Sequence, residues 1–447
     1  MSIQPLVQYA SRTDVGMRRA ANQDSLAVRL CKEITEWEQC GHLFVVADGM
    51  GGHSVGDLAS RITVESLPQA YFKIEAEGIR ERLLAAITAA NRAISDKARQ
   101  NPEFADMGTT CSVLALSPDG AFVGHVGDSR VYRVRNDEIQ QLTFDHSLQW
   151  EMIRQGRATA ETVDLLHPKN VITRCLGPDQ NVQIDIEGPF HVQAGDRFVI
   201  CSDGLTNHVS DTEIGAIAGN LPPTEASRLL IDLTNCRGGS DNVTVVVANV
   251  EQFAAITTPV VDAPAPALEP PPNTVKKKPG RSGKAWASTI SLYLFLIFGT
   301  FGLVLLALGK IPLGLTLICP ALILGFVRFI VLTSGRDNEI ESAVPEISNA
   351  SKETAEMRPP PQLALKSPYR VAAAGITPEF LEFLAAAQSE LTQAARENGW
   401  EVDFEMLAKL NGEAASEHKQ HHLAQCVAKR ARAIDSLMKE LYHKTRR

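Results

Sequence analysis

Short apolar runs next to an acidic residue recur in the first 250 residues of the chain. Runs of branched and aromatic residues of this length predict buried strands, and an acid that follows such a run lies at the rim of a sheet. Three runs lead into Asp48, Asp128 and Asp203, and a fourth run follows Asp241. Each acid stands beside glycine or a small polar residue, and a neighbouring glycine lets a ligand approach the backbone closely.

Helical and strand patterns alternate in groups over the same region. Apolar positions at helical spacing predict amphipathic helices at 54–72 and 78–100, and a further helical segment at 211–235. Strands grouped in adjacent pairs, with helices between the groups, favour an α+β fold of antiparallel sheets flanked by helices over a regular βαβ repeat. The remaining predicted strands are 111–117, 121–134, 181–187, 196–202 and 243–250.

The chain changes character after residue 250. A proline-rich and basic linker is predicted at 251–285, and two apolar stretches follow at 286–309 and 311–333. As a helix the first stretch would span about 36 Å, enough to cross the hydrocarbon core of a bilayer. A buried core helix is the alternative, but such helices seldom stay uncharged over this length. The two stretches therefore predict a tight transmembrane helical hairpin.

Charges that flank this hairpin predict its topology. Basic residues cluster before the first stretch, and Arg328 and Arg336 lie at the far end, which places both flanks in the cytoplasm. The expected localisation is multi-pass in the inner or cell membrane, with the first domain and the C-terminus cytoplasmic. Residues 337–377 are predicted to be a disordered linker. Residues 378–447 show helical patterns and are predicted to form either a small helical bundle or helices that bind a protein partner.

Composition and charge limit the possible functions. At 447 residues the chain is too long for one compact core, so two or more units are expected. Residues 1–250 carry 32 acids against 22 Lys and Arg, a net charge of −10, whereas the rest carries a net +2. An acidic first half argues against nucleic acid as a partner. The eight cysteines form no CxxC pairs, which is typical of reduced cytosolic thiols.

The four acids at strand ends predict a metal site. Ordinary Asp-Gly turns are the simpler explanation of any one of them, but independent turns would rarely all pair an acid with glycine or a small polar residue. Four carboxylates gathered without cations would repel one another strongly. Hard divalent cations relieve that repulsion, and all-oxygen ligands favour magnesium, manganese or calcium over zinc.

The polar segment 14–25 allows two interpretations. It could be a surface turn, which is the interpretation that the local sequence favours. Alternatively, Arg19 could bind a phosphate and Asp24 could lie beside the metal ions.

Taken together, these motifs resemble the metal-dependent serine/threonine protein phosphatases of the PPM (type 2C) family, in its bacterial form. The resemblance covers residues 5–250 and leaves out the second half of the chain. The motifs that carry it are Gly16-x-x-Arg19-x-x-Asn22-Gln23-Asp24-Ser25, Ala47-Asp48-Gly49-Met50-Gly51-Gly52-His53, Gly108-Thr109-Thr110, Gly127-Asp128-Ser129-Arg130, Leu142-Thr143-x-Asp145-His146-Ser147, Ser202-Asp203-Gly204-Leu205 and Gly239-Ser240-Asp241-Asn242-Val243-Thr244.

The resemblance implies a fold and a set of residue roles. The fold would be two packed antiparallel β-sheets flanked by helices, the αββα phosphatase fold, with a site for two Mn²⁺ or Mg²⁺ ions at one edge. Asp48 would bridge both ions, the Gly49 carbonyl would hold one of them, and Asp203 and Asp241 would hold the other. Asp128, with Asp203, would hold a third and weaker ion. The catalytic residues would be Arg19, which binds the substrate phosphate, and Asp24, which orients the attacking water.

Two functions are weighed on this basis. The first is a membrane-anchored phosphatase that removes phosphate from Ser or Thr of cytoplasmic proteins, with a Ser/Thr kinase or its targets as substrates. The second is a non-catalytic membrane adaptor that binds phosphoproteins with a phosphatase-like fold. Retention of all four acids and of Arg19 favours the first, because an unused acidic cluster would destabilise the fold. Met50 replaces a histidine proposed as general acid in animal relatives, so no general acid is assigned.

Overall fold

Two antiparallel sheets face each other at the centre of the molecule. The structure, a computed structural model, describes residues 7–51, 55–157, 171–252 and 370–445. The strands of sheet 1, in spatial order, are β1 (Val7–Asp14), β11 (Val243–Val250), β10 (Arg197–Cys201), β7 (Arg130–Arg135), β8 (Glu138–Gln141) and β12 (Val371–Ala373). Those of sheet 2 are β2 (Asp24–Arg29), β3 (His42–Met50), β5 (Cys111–Ser117), β6 (Gly120–Val126) and β9 (Asp185–Phe190), with β4 (Gly108–Thr109) paired to β3.

Alternation along the strands divides the core into layers. On β3, Phe44 and Val46 point between the sheets and meet Phe198 and Val246 of sheet 1. Val45, between them in sequence, points the other way and packs under the helices. Successive side chains of a strand face opposite sides of the sheet, so a continuous apolar run is buried on both faces.

Helices cover the outer face of each sheet. On sheet 2 lie α2 (Val55–Lys73) and α3 (Ile79–Ala98), whose apolar stripes share a core with β3 and β5. On sheet 1 lie α6 (Asp211–Asn220), which begins at a capping box between Ser210 and Glu213, and α7 (Pro223–Cys236). The short helices are α1 (Ile34–Cys40), α4 (Leu148–Arg154), α5 (Asp203–Thr206) and a 3₁₀ turn at Pro102–Phe104.

The sequence patterns and the structure differ in instructive places. The predicted strand 121–134 is two strands, β6 and β7, that belong to different sheets, because the turn between them carries the chain from sheet 2 to sheet 1. The predicted helix 211–235 is broken into α6 and α7 at Leu221 and Pro222, where proline cannot continue a helix. Strands β1 and β2 were not predicted, since their half-buried residues lack a continuous apolar run.

The C-terminal segment packs against sheet 1 and α7. Val371–Ala373, inside the linker 337–377 that was expected to be disordered, forms β12 and pairs with β8 at the edge of sheet 1. Helices α8 (Pro378–Glu397), α9 (Phe404–Lys419) and α10 (Leu423–Thr445) follow. Apolar residues of α8 and α10 share one buried cluster with α7. The apolar faces from which partner binding was predicted are thus covered within the chain itself.

The membrane predictions need a correction. Both predicted spans, 286–309 and 311–333, lie outside the described residues, as do the linker 251–285 beyond residue 252 and most of 337–377. No helix in the described parts of the chain is long and apolar enough to cross a membrane, which contradicts the predicted multi-pass membrane localisation. The longest of these helices, α10, carries charged residues all along its sequence, because only one of its faces is buried.

Candidate active site

Two of the predicted site residues lie opposite each other on neighbouring strands. Asp24 begins β2, and it pairs in register with Asp48 near the end of β3. Residues directly opposite in an antiparallel pair share one face of the sheet, so the two carboxylates point the same way. Like charges at this spacing are destabilising, and the pair therefore needs a compensating positive charge or a shared proton.

Three further acids reach this pocket from sheet 1 and from the crossing between the sheets. Asp128 lies in the turn from β6 to β7, Asp203 follows β10 and begins α5, and Asp241 lies two residues before β11. Burial raises the pKa of Asp48 well above its ordinary value, and the charges of Asp24, Asp203, Asp128 and Asp241 raise it further. Five carboxylates from five separate segments thus share one pocket.

Asp24 is fixed at one oxygen and unpaired at the other. Ser202 Oγ donates a hydrogen bond of 2.7 Å to Asp24 Oδ2. Burial raises the pKa of Asp24 to about 7, although hydrogen bonds from the Ser202 and Thr244 side chains lower it in part. The neighbouring charges of Asp203 and Asp241 add to the increase. A carboxyl group in this state can exchange a proton near neutral pH.

Asp203 lies in the acidic pocket and is also the first residue of α5. Burial raises the pKa of Asp203, and the charge of Asp241 raises it further, while hydrogen bonds with Asp48 and Asn207 oppose the increase. Asn207 Nδ2 donates to Asp203 Oδ2 over 3.1 Å, which fixes the carboxylate on the first turn of the helix.

Asp128 is held in place by its turn rather than by a cation. Gly127 has φ +113°, and a Cβ there would lie 2.6 Å from the Thr110 side chain, so only glycine fits the turn. His146 N donates to the Gly127 carbonyl oxygen over 2.7 Å, and Gly127 N donates to the His146 side chain at Nδ1 over 3.1 Å. The nearby guanidinium of Arg130 donates to Asp145, at 2.6 Å for the shortest contact. Burial, with the charges of Asp203 and Asp145, raises the pKa of Asp128 well above its ordinary value.

Gly49 is required by the close approach of three backbone segments. A Cβ at this position would lie 2.1 Å from the Gly56 carbonyl oxygen and 2.6 Å from that of Gln23. The Gly49 N–H donates to the Gln23 carbonyl oxygen over 3.1 Å, which ties the end of β3 to the start of β2. The preceding carbonyl, that of Asp48, accepts from Thr110 N and Thr109 Oγ1. The backbone at position 49 is therefore held on both sides, at the Gly49 N–H and at the Asp48 carbonyl.

Arg19 lies on the rim of the pocket. Its guanidinium Nη2 donates to Asp241 Oδ2 over 2.8 Å, and its side chain is 47% exposed. The loop that carries Arg19 is held by Asn242, whose Nδ2 donates to the carbonyl oxygens of Val15 and Ala21. Asn242 Oδ1 accepts from Gln23 N over 2.8 Å. An exposed arginine on a fixed loop can bind an anion that enters the pocket.

Divalent cations fit this set of donors. Asp24 Oδ1, Asp128 Oδ1 and Asp203 Oδ1 are buried and have no hydrogen-bond partner among the described residues. Orphaned carboxylate oxygens in one acidic pocket are what hard cations bind. Among the described residues, no group of three or more Asp, Glu, His or Cys side chains is arranged as it stands so that it could hold a metal ion. The Arg19–Asp241 ion pair and the Asp48–Asp203 hydrogen bond each engage a carboxylate that a cation would need.

Comparison with known proteins decides the family. A sequence model described as protein phosphatase 2C matches residues 17–233. A putative protein phosphatase 2C-type of Streptococcus pyogenes serotype M6 is 38% identical over 250 residues, which make up 55% of this chain and 98% of that protein. The chain belongs to the protein phosphatase 2C family.

Other phosphatases that resemble this chain support the same family assignment. Protein phosphatase PhpP of Streptococcus pneumoniae serotype 2 is 33% identical over 245 residues, 54% of this chain and 96% of PhpP. The solved serine/threonine phosphatase of S. agalactiae is 36% identical, with a TM-score of 0.50, and covers 55% of this chain and 100% of its own. The chain is thus a metal-dependent protein serine/threonine phosphatase, of a family that uses Mn²⁺ or Mg²⁺.

Helices α8–α10 lie outside the parts of this phosphatase that two of the comparisons match. The family match ends at residue 233, and the 250 matched residues make up 98% of the S. pyogenes relative.

Several residues that shape the site were not assigned roles from the sequence. Asn242 holds the Arg19 loop, Ser202 fixes Asp24, and Asn207 fixes Asp203. Ser202 and Asn242 lie beside predicted metal ligands, and that adjacency is the one signal that the sequence offered. His53, the last residue of the motif that contains Asp48, lies outside the described residues.

Proposed function

We propose that this phosphatase hydrolyses phosphoserine and phosphothreonine in protein substrates, and that its acidic pocket holds the two divalent cations that the reaction requires. The observation that carries the proposal is the convergence of Asp24, Asp48, Asp128, Asp203 and Asp241 from separate segments, with three buried oxygens left unpaired. Without bound cations, the repulsion among these carboxylates would destabilise the fold and serve no purpose.

The proposed ligands divide as follows. Asp48, the Gly49 carbonyl, Asp203 and Asp241 would hold two Mn²⁺ or Mg²⁺ ions, and Asp128 with Asp203 would hold a third. When bound, such ions lower the pKa of water and offset negative charge on phosphoryl oxygens.

The chain's own residues supply binding and proton transfer. Arg19, released from Asp241, would donate a pair of hydrogen bonds to the phosphate, which suits the planar guanidinium. Asp24 would orient the attacking water and accept its proton, because Oδ2 is fixed by Ser202 and Oδ1 is unpaired. Water oxygen bonds to phosphorus and the ester P–O bond breaks. The departing serine or threonine oxygen takes up a proton from solvent water, and Asp24 returns its proton to solvent, so the products are the alcohol and inorganic phosphate. No phosphoenzyme is required.

The physiological substrates would be phosphorylated proteins, namely a Ser/Thr kinase or its targets. A non-catalytic adaptor that binds phosphoproteins is not favoured, because binding alone does not require the full set of acids.

The decisive experiment uses the full chain, purified and tested on a phosphothreonine peptide. We expect turnover with Mn²⁺, loss of turnover with EDTA, and a fall in kcat/KM of at least about 1,000-fold in Asp203→Asn. Asp119→Asn, an exposed aspartate in the β5–β6 turn, is the matched control and should behave as the wild type. Substantial turnover in Asp203→Asn would refute the metal assignment, and inactivity of the wild type with Mn²⁺ would refute the catalytic function.

A further inference from the structure

Helices α7 and α10 run side by side and in the same direction. Glu225 contacts Arg432, Arg228 contacts Asp435, and Asn235 contacts Tyr442, each pair 207 residues apart. Because the three contacts advance together along both helices, the helices are parallel and in register. The α7 residues of these three contacts recur at helical spacing, so one face of α7 contacts the C-terminal segment along the helix.

The last contact on this face is a directed chain of hydrogen bonds. Tyr442 Oη donates to Asp232 Oδ1 over 3.0 Å and accepts from Asn235 Nδ2 over 2.9 Å. Asn235 Nδ2 also donates to Asp14 Oδ1 over 3.0 Å. An amide nitrogen has two hydrogens, so both donors of Asn235 are engaged, one towards α10 and one towards Asp14.

Asp14 opens the loop that carries Arg19. Asp14 Oδ1, besides its bond from Asn235, accepts from Gly16 N over 2.9 Å. The next residue, Met17, donates its N–H to the Gly239 carbonyl oxygen over 2.8 Å. Gly16 lies so close to Asp241 that a Cβ would meet the Asp241 carbonyl oxygen at 2.2 Å. The Arg19 loop and the Asp241 loop are therefore interlocked.

Asn235 also supports the second loop directly. A Cβ on Gly239 would lie 2.4 Å from Asn235 Oδ1. Gly239 has φ +41°, and its N–H donates to Thr234 O at the end of α7. The orientation of the buried Asn235 amide therefore affects two loops, the one that carries Arg19 and the one that carries Asp241.

We propose that Tyr442 is a positioning residue of the phosphatase, through which the C-terminal helices hold Arg19 and Asp241 in the geometry that binds substrate. The inference rests on the proposed role of Arg19 in phosphate binding. Loss of the Tyr442 hydroxyl removes the acceptor of one Asn235 hydrogen, and a buried donor that loses its acceptor must turn to find another. The bond to Asp14 then weakens, and both loops gain freedom.

The test compares full-length wild type with Tyr442→Phe, which keeps the ring and removes the hydroxyl. With a phosphothreonine peptide at saturating Mn²⁺, we expect KM to rise three- to tenfold while kcat changes less than twofold, because the lost contact affects binding more than the reaction step. Without metal, amide hydrogen exchange at Met17 and Gly239 should become faster. Arg432→Met breaks a contact of the same helix pair that does not reach Asn235, and it should leave KM and exchange unchanged.

A double-mutant cycle separates the hydrogen-bonded chain from general loosening of α10. If the effect passes through Asn235, then Tyr442→Phe combined with Asn235→Ala should raise KM no more than Asn235→Ala alone. Fully additive effects would overturn the proposal, as would an unchanged KM in Tyr442→Phe. These outcomes are distinct from failure of the proposed function, because that failure would show as an inactive wild type or an active Asp203→Asn.

Discussion

Arg19 and Asp241 form an ion pair in which Nη2 lies 2.8 Å from Oδ2. The pair joins the residue proposed to bind the phosphate to a residue proposed to bind a metal ion. Its side chains are 47% and 24% exposed, and exposed pairs contribute about 1 kcal/mol or less. A divalent cation can therefore displace Arg19 from Asp241 at little cost, which couples cation binding to release of the arginine.

Replacement of Arg19 should weaken the binding of substrate and strengthen the binding of Mn²⁺. In Arg19→Ala we expect the KM for a phosphopeptide to rise ten- to a hundredfold, since a charge-assisted hydrogen bond contributes about 1.5–3 kcal/mol. The Mn²⁺ concentration for half-maximal activity should fall two- to fivefold, because no cationic side chain competes for Asp241. Steady-state kinetics over a Mn²⁺ series measure both quantities.

Arg18→Ala is the matched control for this prediction. It removes the neighbouring arginine, which makes no ion pair with Asp241 among the contacts of the described residues. We expect its KM to stay within twofold of the wild type. A rise in the Mn²⁺ requirement of Arg19→Ala would contradict the competition between Arg19 and the cation.

Gly49→Ala should disrupt the pocket without removing any ligand side chain. The added methyl group would clash with the carbonyl groups of Gly56 and Gln23, which are backbone atoms and cannot swing away. We expect a loss of several kcal/mol in stability or loss of Mn²⁺-dependent activity, measured by denaturant unfolding and by turnover.

Gly412→Ala, in α9, is the corresponding control. A Cβ at position 412 meets nothing within 4 Å, and alanine is favoured over glycine inside a helix by about 0.5–1 kcal/mol. This variant should be slightly more stable and fully active. Equal behaviour of the two glycine variants would show that the backbone around Gly49 is less crowded than the structure indicates.

The shared apolar cluster predicts that the C-terminal helices unfold together with the phosphatase domain. Ile434 of α10 is fully buried in the cluster that includes α7, so Ile434→Ala should cost about 2–5 kcal/mol. Since the cluster is one core, the loss should appear in a single cooperative unfolding transition, followed by circular dichroism and by tryptophan fluorescence.

Met406→Ala provides the comparison on an exposed surface of the same segment. Met406 is 38% exposed, and its truncation should change stability by about 0.5 kcal/mol or less. Two separate transitions in the wild type, with only one of them sensitive to Ile434→Ala, would mean that the C-terminal helices form an independent unit.

Asp232 predicts a pH dependence of stability. Burial raises the pKa of this carboxyl to about 7, with a further increase from the charge of Asp435. In an unfolded chain the group would titrate near 4, so between about pH 4 and 7 the folded state binds the extra proton. The contribution of Asp232 to stability is therefore full at low pH and is lost as the pH rises through 7.

Asp232→Asn should cancel this contribution. The stability of the variant relative to the wild type should increase as the pH rises from about 4 to 8, as measured by urea unfolding at several pH values. Asp96→Asn, on the exposed side of α3, should show no such trend. A stability difference between Asp232→Asn and wild type that is flat with pH would argue against the raised pKa.

The acidic pocket could be predicted from the sequence because its acids stand next to strand-forming runs along the chain. Asp48 and Asp203 each come after an apolar run, at or near the end of a strand, and the direction of the strand fixes where that end lies. The contact between α7 and α10 is different. The pattern of Leu437 and Leu441 indicates that α10 has an apolar face, but it does not say which surface covers that face. Pairing over 207 residues depends on complementary shape, which neither helix reveals alone.

Asn235 and Tyr442 illustrate the same limit at the level of single side chains. Asn235 is the second-to-last residue of α7, where an asparagine is ordinarily explained by helix termination, and Tyr442 lies in a basic terminal helix. Their hydrogen bond becomes visible only when the two helices are placed together.

Strand β12 has a consequence for how the molecule behaves in a crowded solution. Without it, the backbone groups of β8 would be open to pairing with a strand from another molecule, a common first step towards aggregates. The chain fills that position with three of its own residues, Val371–Ala373, and so leaves an outer edge too short to recruit a neighbour. Attachment of the C-terminal segment therefore also shields the β8 edge of sheet 1 from pairing with another molecule.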